Sequence, residues 1–416
     1  MSEEPKKPSR LRRLATYGAF EGGKYVAGVA IGVLIGVVFG ITPQQVIQQQ
    51  VVQIVAPPTP DQFVTTGWTP DAEANEVDLA ASKFKSFADT PAGQVVMGDL
   101  PKEMFLWKAV EKLTGRPTPL KDQNPTGSCV GFGTTTSIER TEATEILAHN
   151  GDASEFTFFS EEVTYAGAKV QGFRSLGGSV SRNDGATDVG AAAWVTKVGG
   201  MVPKGKYGKW DLTQYDPSRA HSWNVSGVPS ELVEVAKKYP VKDSVRVLNW
   251  NQCKQALASG YAVAGCALWK YSAKRDASGV AQDLGSGIGA WNHCMSIDGY
   301  YVDANGREYG HVENSWTNLP DQNGNRTGQA YHTGPVGWGN PTTAGFWATA
   351  ESLERALKQG GCRAYSGVTG FPARKLQWDL FITAPKRNRN PIGVFQFALF
   401  PKIAPKEFDP CLGLAF

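Results

Sequence analysis

A chain of 416 residues with 41% hydrophobic and 19% charged side chains can bury one large or two medium cores, which excludes an intrinsically disordered protein. Residues 1–24 hold six basic and three acidic side chains, and this surplus of +3 equals the net charge, so the rest of the chain is neutral. A nucleic-acid partner would need a basic surplus on the folded part, so we expect none. The six cysteines form no CxxC pair, so no metal site is predicted and no cofactor is implied.

The first predicted element is a transmembrane helix at residues 25–41. This run carries no charge, and as a helix it would span roughly 25 Å, the short end for a bilayer core. Basic residues precede it, which predicts a cytoplasmic N-terminal segment and places everything after Ile41 outside the cytoplasm. The alternatives are a cleaved signal peptide and a buried helix of a soluble core, but no small-residue cleavage site follows at 42–50. A glycine stripe on the helix predicts self-association through Gly28, Gly32, Gly36 and Gly40.

Residues 42–95 are predicted to form a stalk or linker. The Gln-rich part is too polar to continue the membrane span, and the proline-rich run at 56–60 breaks regular structure. The segment lacks the long helical pattern expected of a folded inhibitory pro-segment. We therefore expect the folded domain to begin at about residue 96.

The loop at residues 121–128, which contains proline and glycine, leads into Cys129. A run with helical character follows at 134–150. A cysteine at a helix N-terminus meets the positive end of the helix dipole, which favours the nucleophilic thiolate. The alternative role for a lone cysteine is that of a small buried hydrophobe.

Two predicted strands carry side chains that can act with a thiol. Residues 291–300 read as a mostly apolar strand with His293 near its start, and residues 311–316 read as a strand ending at Asn314 and a tryptophan. A histidine base beside a thiol, oriented by an amide, is the minimal apparatus for acyl transfer through a thioester.

In order and separation, these segments resemble the three signature blocks of papain-like cysteine peptidases. The blocks are residues 123–129, 292–293 and 314–316, and the resemblance extends from about residue 100 to about residue 372. It implies a hydrolase whose catalytic residues are Cys129 as nucleophile, His293 as base, Asn314 as the residue that orients the base, and Gln123 in the oxyanion hole with the Cys129 backbone N–H. It also implies two supporting residues: Trp316 would cover the Asn–His hydrogen bond, and Ser128 precedes the nucleophile.

The sequence departs from the family pattern beside the nucleophile. Thr126 stands where the family has a disulfide cysteine, and Val130 replaces a tryptophan. These changes leave the implied catalytic groups intact, but the family's disulfide bridge cannot form at Thr126, and the pocket is expected to depart from the family's shape.

Four residues are candidate substrate contacts. Asp184 and Gly185 belong to a segment that could pair with the substrate backbone, and an ordinary Asp-Gly turn is the alternative. Trp291 and Gly265 could line the pocket for the side chain upstream of the cleaved residue, with a core position as the alternative for Trp291. The remaining histidines (149, 221, 311 and 332) are predicted to be surface or structural residues.

The predicted fold class is α+β, a two-lobed papain-like fold with a helical lobe and an antiparallel sheet or barrel lobe. The predicted segments are a cytoplasmic basic segment at 1–24, a transmembrane anchor at 25–41, a stalk at 42–95, a peptidase domain at 96–372 and a β-hairpin extension at 373–416. The predicted function is a membrane-anchored cysteine endopeptidase acting on a protein or peptide substrate. The alternatives are a non-catalytic structural or binding protein on the same fold and a cell-wall amidase.

Overall fold

The computed structural model describes residues 67–382, except 286–287, 320, 322, 324, 340–343 and 375. The predicted cytoplasmic segment and transmembrane helix, residues 42–66 of the predicted stalk, and residues 383–416 of the predicted extension lie outside this part. Among the described residues, no helix is both long enough and apolar enough to cross a bilayer.

Helices dominate the first two thirds of the described chain. The α-helices are α1 Ala72–Ala81, α2 Trp107–Thr114, α3 Cys129–Ala148, α4 Glu161–Ala166, α5 Asp188–Ala193, α6 Pro217–Ser226, α7 Ser230–Ala236, α8 Trp250–Ala258 and α9 Ala350–Leu357. Two of them continue as π-helices: α4 through Gly167–Gly172 and a final turn Phe173–Ser175, and α5 through Trp194–Val198. Short 3-10 turns lie at Phe87–Asp89, Ala92–Gln94, Met97–Asp99, Ala153–Glu155 and Trp378–Leu380.

The strands form one antiparallel sheet and two small hairpins. The strands are β1 Glu103–Phe105, β2 Lys206–Tyr207, β3 Trp210–Asp211, β4 Asp243–Arg246, β5 Val263–Trp269, β6 Tyr271–Arg275, β7 Ala281–Asp283, β8 Trp291–Val302, β9 Glu308–Glu313, β10 Gly345–Thr349 and β11 Cys362–Ser366. The main sheet has the order β10-β9-β8-β5-β11-β4, with β1 also paired to β8, while β2-β3 and β6-β7 pair separately. Helices combined with an antiparallel sheet confirm the predicted α+β class.

Helix α3 lies across strand β8 and also against helix α4, and one glycine permits close packing at each of the two contacts. A Cβ on Gly133 would lie 2.8 Å from Cys294 Sγ, and a Cβ on Gly131 would lie 2.5 Å from the Glu161 carbonyl oxygen. Both distances are shorter than real Cβ contacts, so glycine is required where the backbones meet. The first turn of α3, which starts at Cys129, is thereby held against the strand that carries His293.

A buried ion network joins α3, β8 and β9. Arg140 Nε lies 3.1 Å from Asp298 Oδ2, and its Nη2 lies 2.6 Å from Glu313 Oε2. His311 Nδ1 lies 2.6 Å from Asp298 Oδ1, and all four side chains are almost fully buried. Although burial opposes ionisation, His311 and Arg140 lower the pKa of Asp298. His311 is therefore structural, on the interior side of β9.

The folded domain begins earlier than the predicted boundary at residue 96. Trp68 is buried, and Asp78 of α1 lies 2.9 Å from the buried guanidinium of Arg363 on β11. Phe87 and Ala92 are fully buried in the main core. Residues 67–95 are thus packed against the domain as helix α1 and the short 3-10 turns after it, which the linker prediction did not include.

The C-terminal extension departs from the predicted hairpin in its described part. Residues 376–380 alternate in polarity, but they form a 3-10 turn at Trp378–Leu380 and no strand. Leu376 and Trp378 pack partly buried against the core, and Trp378 Nε1 donates to the Ala258 carbonyl at 3.4 Å. The alternation reflects a coil lying on the core, without a partner strand among the described residues.

Candidate functional site

Cys129 is the first residue of α3 and has no exposed surface. The preceding residue, Ser128, is the N-cap, and its Oγ lies 2.8 Å from the hydroxyl of Tyr215 rather than capping the helix. The thiol therefore lies at the N-terminus of a 20-residue helix, where the helix dipole favours an anion. This is the position that the sequence predicted.

His293, Asn314 and Trp316 form one buried unit. His293 Nε2 lies 2.9 Å from Asn314 Oδ1, and the Trp316 ring stacks on the imidazole at 4.1 Å with a tilt of 20°. Asn314 Oδ1 also accepts from the Ser315 backbone N–H at 2.8 Å. The amide can hold the ring in orientation, and the buried indole lies over the imidazole beside this hydrogen bond.

Gln123 connects the loop before Cys129 to the same unit. Its Oε1 accepts from Ser315 Oγ at 2.6 Å, and its Nε2 donates to the Thr126 carbonyl at 3.1 Å. Its backbone N–H donates to the Ser315 carbonyl at 2.9 Å. The side chain is fully buried, so its amide is fixed between the loop of the nucleophile and the loop of Asn314.

The Cys129 thiol lies against the strand that carries His293. The Cys129 thiol interacts with the backbone N–H of Cys294, the residue after His293. His293 Nδ1, the ring nitrogen away from Asn314, is buried and has no hydrogen-bond partner in the described part of the chain. Cys294 itself is linked to Cys266, directly opposite on β5, by a disulfide.

A segment of the chain itself covers the thiol. The backbone N–H groups of Gly67 and Trp68 donate to the Asn292 carbonyl at 3.2 and 3.1 Å, and Gly67 N–H also interacts with the Cys129 thiol. A Cβ on Gly67 would lie only 1.8 Å from the Gly127 carbonyl oxygen. We call residues 67–69 the covering segment, because they lie against the residues on both sides of the site.

The covering segment also pairs with the predicted substrate-binding edge. Ala186 N–H donates to the Gly67 carbonyl at 2.8 Å, and Thr69 N–H donates to the Ala186 carbonyl at 2.9 Å. Gly185 has φ +106°, and a Cβ there would lie 2.9 Å from Thr69 Oγ1. Glycine is therefore needed where an extended backbone lies against this edge.

Burial under the covering segment favours the neutral forms of the Cys129 thiol and the His293 imidazole. It raises the pKa of the Cys129 thiol to about 12, against smaller opposing effects of backbone N–H groups. It also lowers the pKa of His293 to about 4, and the hydrogen bond that His293 donates to Asn314 Oδ1 only partly opposes this. A thiolate–imidazolium pair is accordingly disfavoured until water reaches the site.

The other predicted substrate contacts have structural positions. Asp184 accepts from the Gly127 backbone N–H at 3.1 Å and from Asn224 Nδ2 at 2.8 Å, which joins its loop to the loop of the nucleophile. Trp291 packs edge-on against Trp316 at 5.2 Å inside the core. A Cβ on Gly265 would lie 3.1 Å from the Trp269 ring and 3.3 Å from Ile297 Cδ1, so Gly265 too lies in the core rather than at a pocket.

Sequence reasoning missed two features of the site. The covering segment was assigned to the linker because three extended residues carry no periodic signal. His332, which lies within 3.3 Å of Asn314, was assigned a surface or structural role because no motif surrounds it.

No family model matches the sequence, and no curated protein matches it. Among solved structures, the chain is similar to xylellain, a cysteine protease from Xylella fastidiosa, with 16% identity over 74% of this chain and 97% of that chain and a TM-score of 0.47. It is also similar to the digestive procathepsin L2 proteinase of Tenebrio molitor larval midgut (18% identity, 74% and 80% coverage, TM-score 0.43). A third is the bromelain protease of Ananas comosus (13% identity, 64% and 99% coverage, TM-score 0.34).

These structural neighbours are papain-like cysteine proteases, the family that the sequence motifs resemble. At such identities and TM-scores, any inference about chemistry depends on the residues of the site.

Proposed function

We propose that this chain is a cysteine-type endopeptidase that hydrolyses peptide bonds through a thioester on Cys129. The observation that carries the proposal is the buried His293–Asn314 hydrogen bond of 2.9 Å beneath Trp316, next to a thiol at a helix N-terminus. A structural or binding protein on this fold would have no need for a base that is oriented and shielded beside a thiol.

In the proposed mechanism, His293 takes the proton of the Cys129 thiol, and the thiolate attacks the carbonyl carbon of a peptide bond. The Cys129 backbone N–H and the Gln123 amide stabilise the oxyanion. His293 then protonates the leaving amine, which departs as the C–N bond breaks. Water, deprotonated by His293, hydrolyses the thioester and regenerates the thiol.

Substrate can enter only after the covering segment moves, because Cys129 and His293 have no exposed surface beneath it. The edge residue Ala186 would then exchange its hydrogen bonds with Gly67 and Thr69 for bonds to an extended substrate backbone. This supports the predicted role of Gly185 in substrate binding, together with its neighbour Ala186, whereas Asp184 joins two loops. Opening would also hydrate the thiol and the imidazole, which removes the burial that opposes their charged forms.

Hydrolysis of an unfolded protein by the full chain tests the proposal. We expect new peptide N-termini by mass spectrometry and no release of amino groups from a muropeptide. Trp68 anchors the covering segment through its Nε1, 3.2 Å from Asp188 Oδ1. The Trp68→Ala variant should cleave about tenfold faster, since each 1.4 kcal/mol removed from the closed state is a tenfold change in population.

Val77→Ala is the matched control, because Val77 is 47% exposed on the adjoining helix α1. It should cleave at the wild-type rate. Cleavage of the muropeptide alone would favour the amidase, and no cleavage by wild type or by Trp68→Ala would favour a binding protein.

We also propose that residues 25–41 anchor the chain in a membrane, with the N-terminus cytoplasmic, the peptidase domain outside and the glycine stripe favouring self-association. The uncharged run and the basic residues before it support this arrangement. The full chain should remain in the membrane fraction after an alkaline carbonate wash. Release of the intact chain, or a mature N-terminus after Ile41, would contradict the anchor.

A further inference from the structure

The amide of Asn314 lies between two buried histidines. On one side, Asn314 Oδ1 lies 2.9 Å from His293 Nε2. On the other, Asn314 Nδ2 lies 3.3 Å from Nδ1 of His332, whose side chain has no exposed surface. An amide nitrogen is a donor only, so His332 Nδ1 must be the acceptor and carry no proton.

The surroundings of His332 favour this neutral form. Burial lowers the pKa of His332 well below its usual value. Electrostatic interactions with Arg275 and with His293 lower this pKa further, and a backbone hydrogen bond with Ala344 opposes these effects. The ring is therefore uncharged at neutral pH. A neutral imidazole that accepts at Nδ1 has its proton on Nε2.

Packing fixes the His332 ring where it meets the amide. The ring stacks on Phe346 of β10 at 3.9 Å with a tilt of 30°, and Tyr331 packs edge-on at 4.9 Å. Arg275 joins the loop after His332 to β10, donating to the Gly334 and Gly345 carbonyls at 2.9 and 2.6 Å. The acceptor nitrogen thus has a defined position rather than a mobile one.

We propose that His332 is a positioning residue, which accepts from Asn314 Nδ2 and thereby keeps Asn314 Oδ1 turned toward His293. This inference rests on the proposed function, because it concerns the orientation of the proposed base. The Ser315 backbone N–H fixes the oxygen end of the amide, and His332 fixes its nitrogen end.

The reversed amide would be unproductive. It would turn the NH2 group of Asn314 toward His293 Nε2, so that Nε2 would have to accept a hydrogen bond. The proton of the neutral imidazole would then lie on Nδ1. In the proposed mechanism, however, Nδ1 must be free to accept the proton of the thiol. It would also turn an acceptor oxygen toward the acceptor nitrogen of His332. His332 therefore disfavours the orientation that would leave His293 in the wrong tautomer.

Two variants of His332 that both lack the imidazole ring, but differ in whether they carry an acceptor atom, test the role of the acceptor. In His332→Asn, the side-chain oxygen can occupy the place of Nδ1 and accept, whereas His332→Leu places a methyl group there. We expect His332→Leu to lower kcat about 10- to 100-fold with KM within about twofold, and His332→Asn to retain kcat within about threefold of wild type. In an Asn314→Ala background, the Leu substitution should change kcat less than about twofold, because the partner is already absent.

Equal losses of kcat in His332→Asn and His332→Leu would show that only the packing of the ring matters. An undiminished effect of His332→Leu on kcat in the Asn314→Ala background would show that His332 does not act through Asn314. Either result overturns the proposal. Nitrogen chemical shifts of His332 in the unmodified protein give a readout independent of turnover. At neutral pH we expect His332 to have an unprotonated Nδ1 and a protonated Nε2. A protonated Nδ1 would overturn the proposal, whether or not the chain hydrolyses peptides.

Discussion

Replacing Cys129 with alanine is expected to lower kcat/KM for peptide hydrolysis by at least about 10⁴-fold, because loss of a nucleophile removes the covalent route entirely. The residual rate would reflect only binding and oxyanion stabilisation by the remaining site. The alanine fills nearly the same buried space at the start of α3, so the fold should persist. The measurement is turnover of an unfolded protein, with thermal unfolding as the check on folding.

Cys253→Ala is the matched control for this substitution. Cys253 is also fully buried and unpaired, but it lies on α8 in the main core. Its replacement should leave kcat/KM within about threefold of wild type, since it contacts none of the proposed catalytic groups. Similar losses in the two variants would mean that the effect is one of stability and not of chemistry.

Replacing Arg140 with methionine is expected to lower the free energy of unfolding by about 3–5 kcal/mol, the usual cost of removing one partner from a buried ion pair. The change leaves Glu313 buried without its cation and leaves Asp298 with His311 alone. Burial already raises the pKa of Glu313, and the loss of Arg140 would raise it further. The ionised Glu313 carboxylate would therefore destabilise the fold increasingly as the pH rises above about 4. Denaturant unfolding should accordingly show a larger deficit at pH 8 than at pH 5.

An exposed ion pair provides the comparison for Arg140. Arg307 Nε lies 2.7 Å from Asp303 Oδ2, but its side chain is 68% exposed. Arg307→Met should therefore unfold at nearly the same denaturant concentration as wild type. An Arg140→Met variant that unfolds at the same denaturant concentration as Arg307→Met would contradict a structural role for the buried network.

The proposed catalytic groups could be located in the sequence because each lies in a local motif with a strong secondary-structure signal. Cys129 follows a loop containing proline and glycine and precedes a helix, and His293 and Asn314 lie at the start and just past the end of two apolar strands. The helix over residues 129–148 and the strand beginning near His293 both agree with the prediction. Their convergence follows from β8 pairing with β9 and packing under α3.

The features that the sequence did not reveal depend on contacts between distant residues. Arg140 meets carboxylates 158 and 173 positions away, and no periodic pattern indicates such partners. The covering segment is extended and short, so its role follows only from its hydrogen bonds to Asn292 and Ala186. Gly265 was assigned to a pocket by its position in the chain, but the register of β5 turns it toward the core.

The most direct test of the account is to identify the cysteine that reacts with a thiol-directed epoxide inhibitor. The full chain would be labelled during turnover of an unfolded protein, digested and mapped by mass spectrometry, alongside Cys129→Ala. The account predicts a single adduct on Cys129 that forms in step with loss of activity, and no adduct in the variant. An adduct on Cys253, Cys362 or Cys411, or full inactivation with Cys129 unmodified, would contradict it.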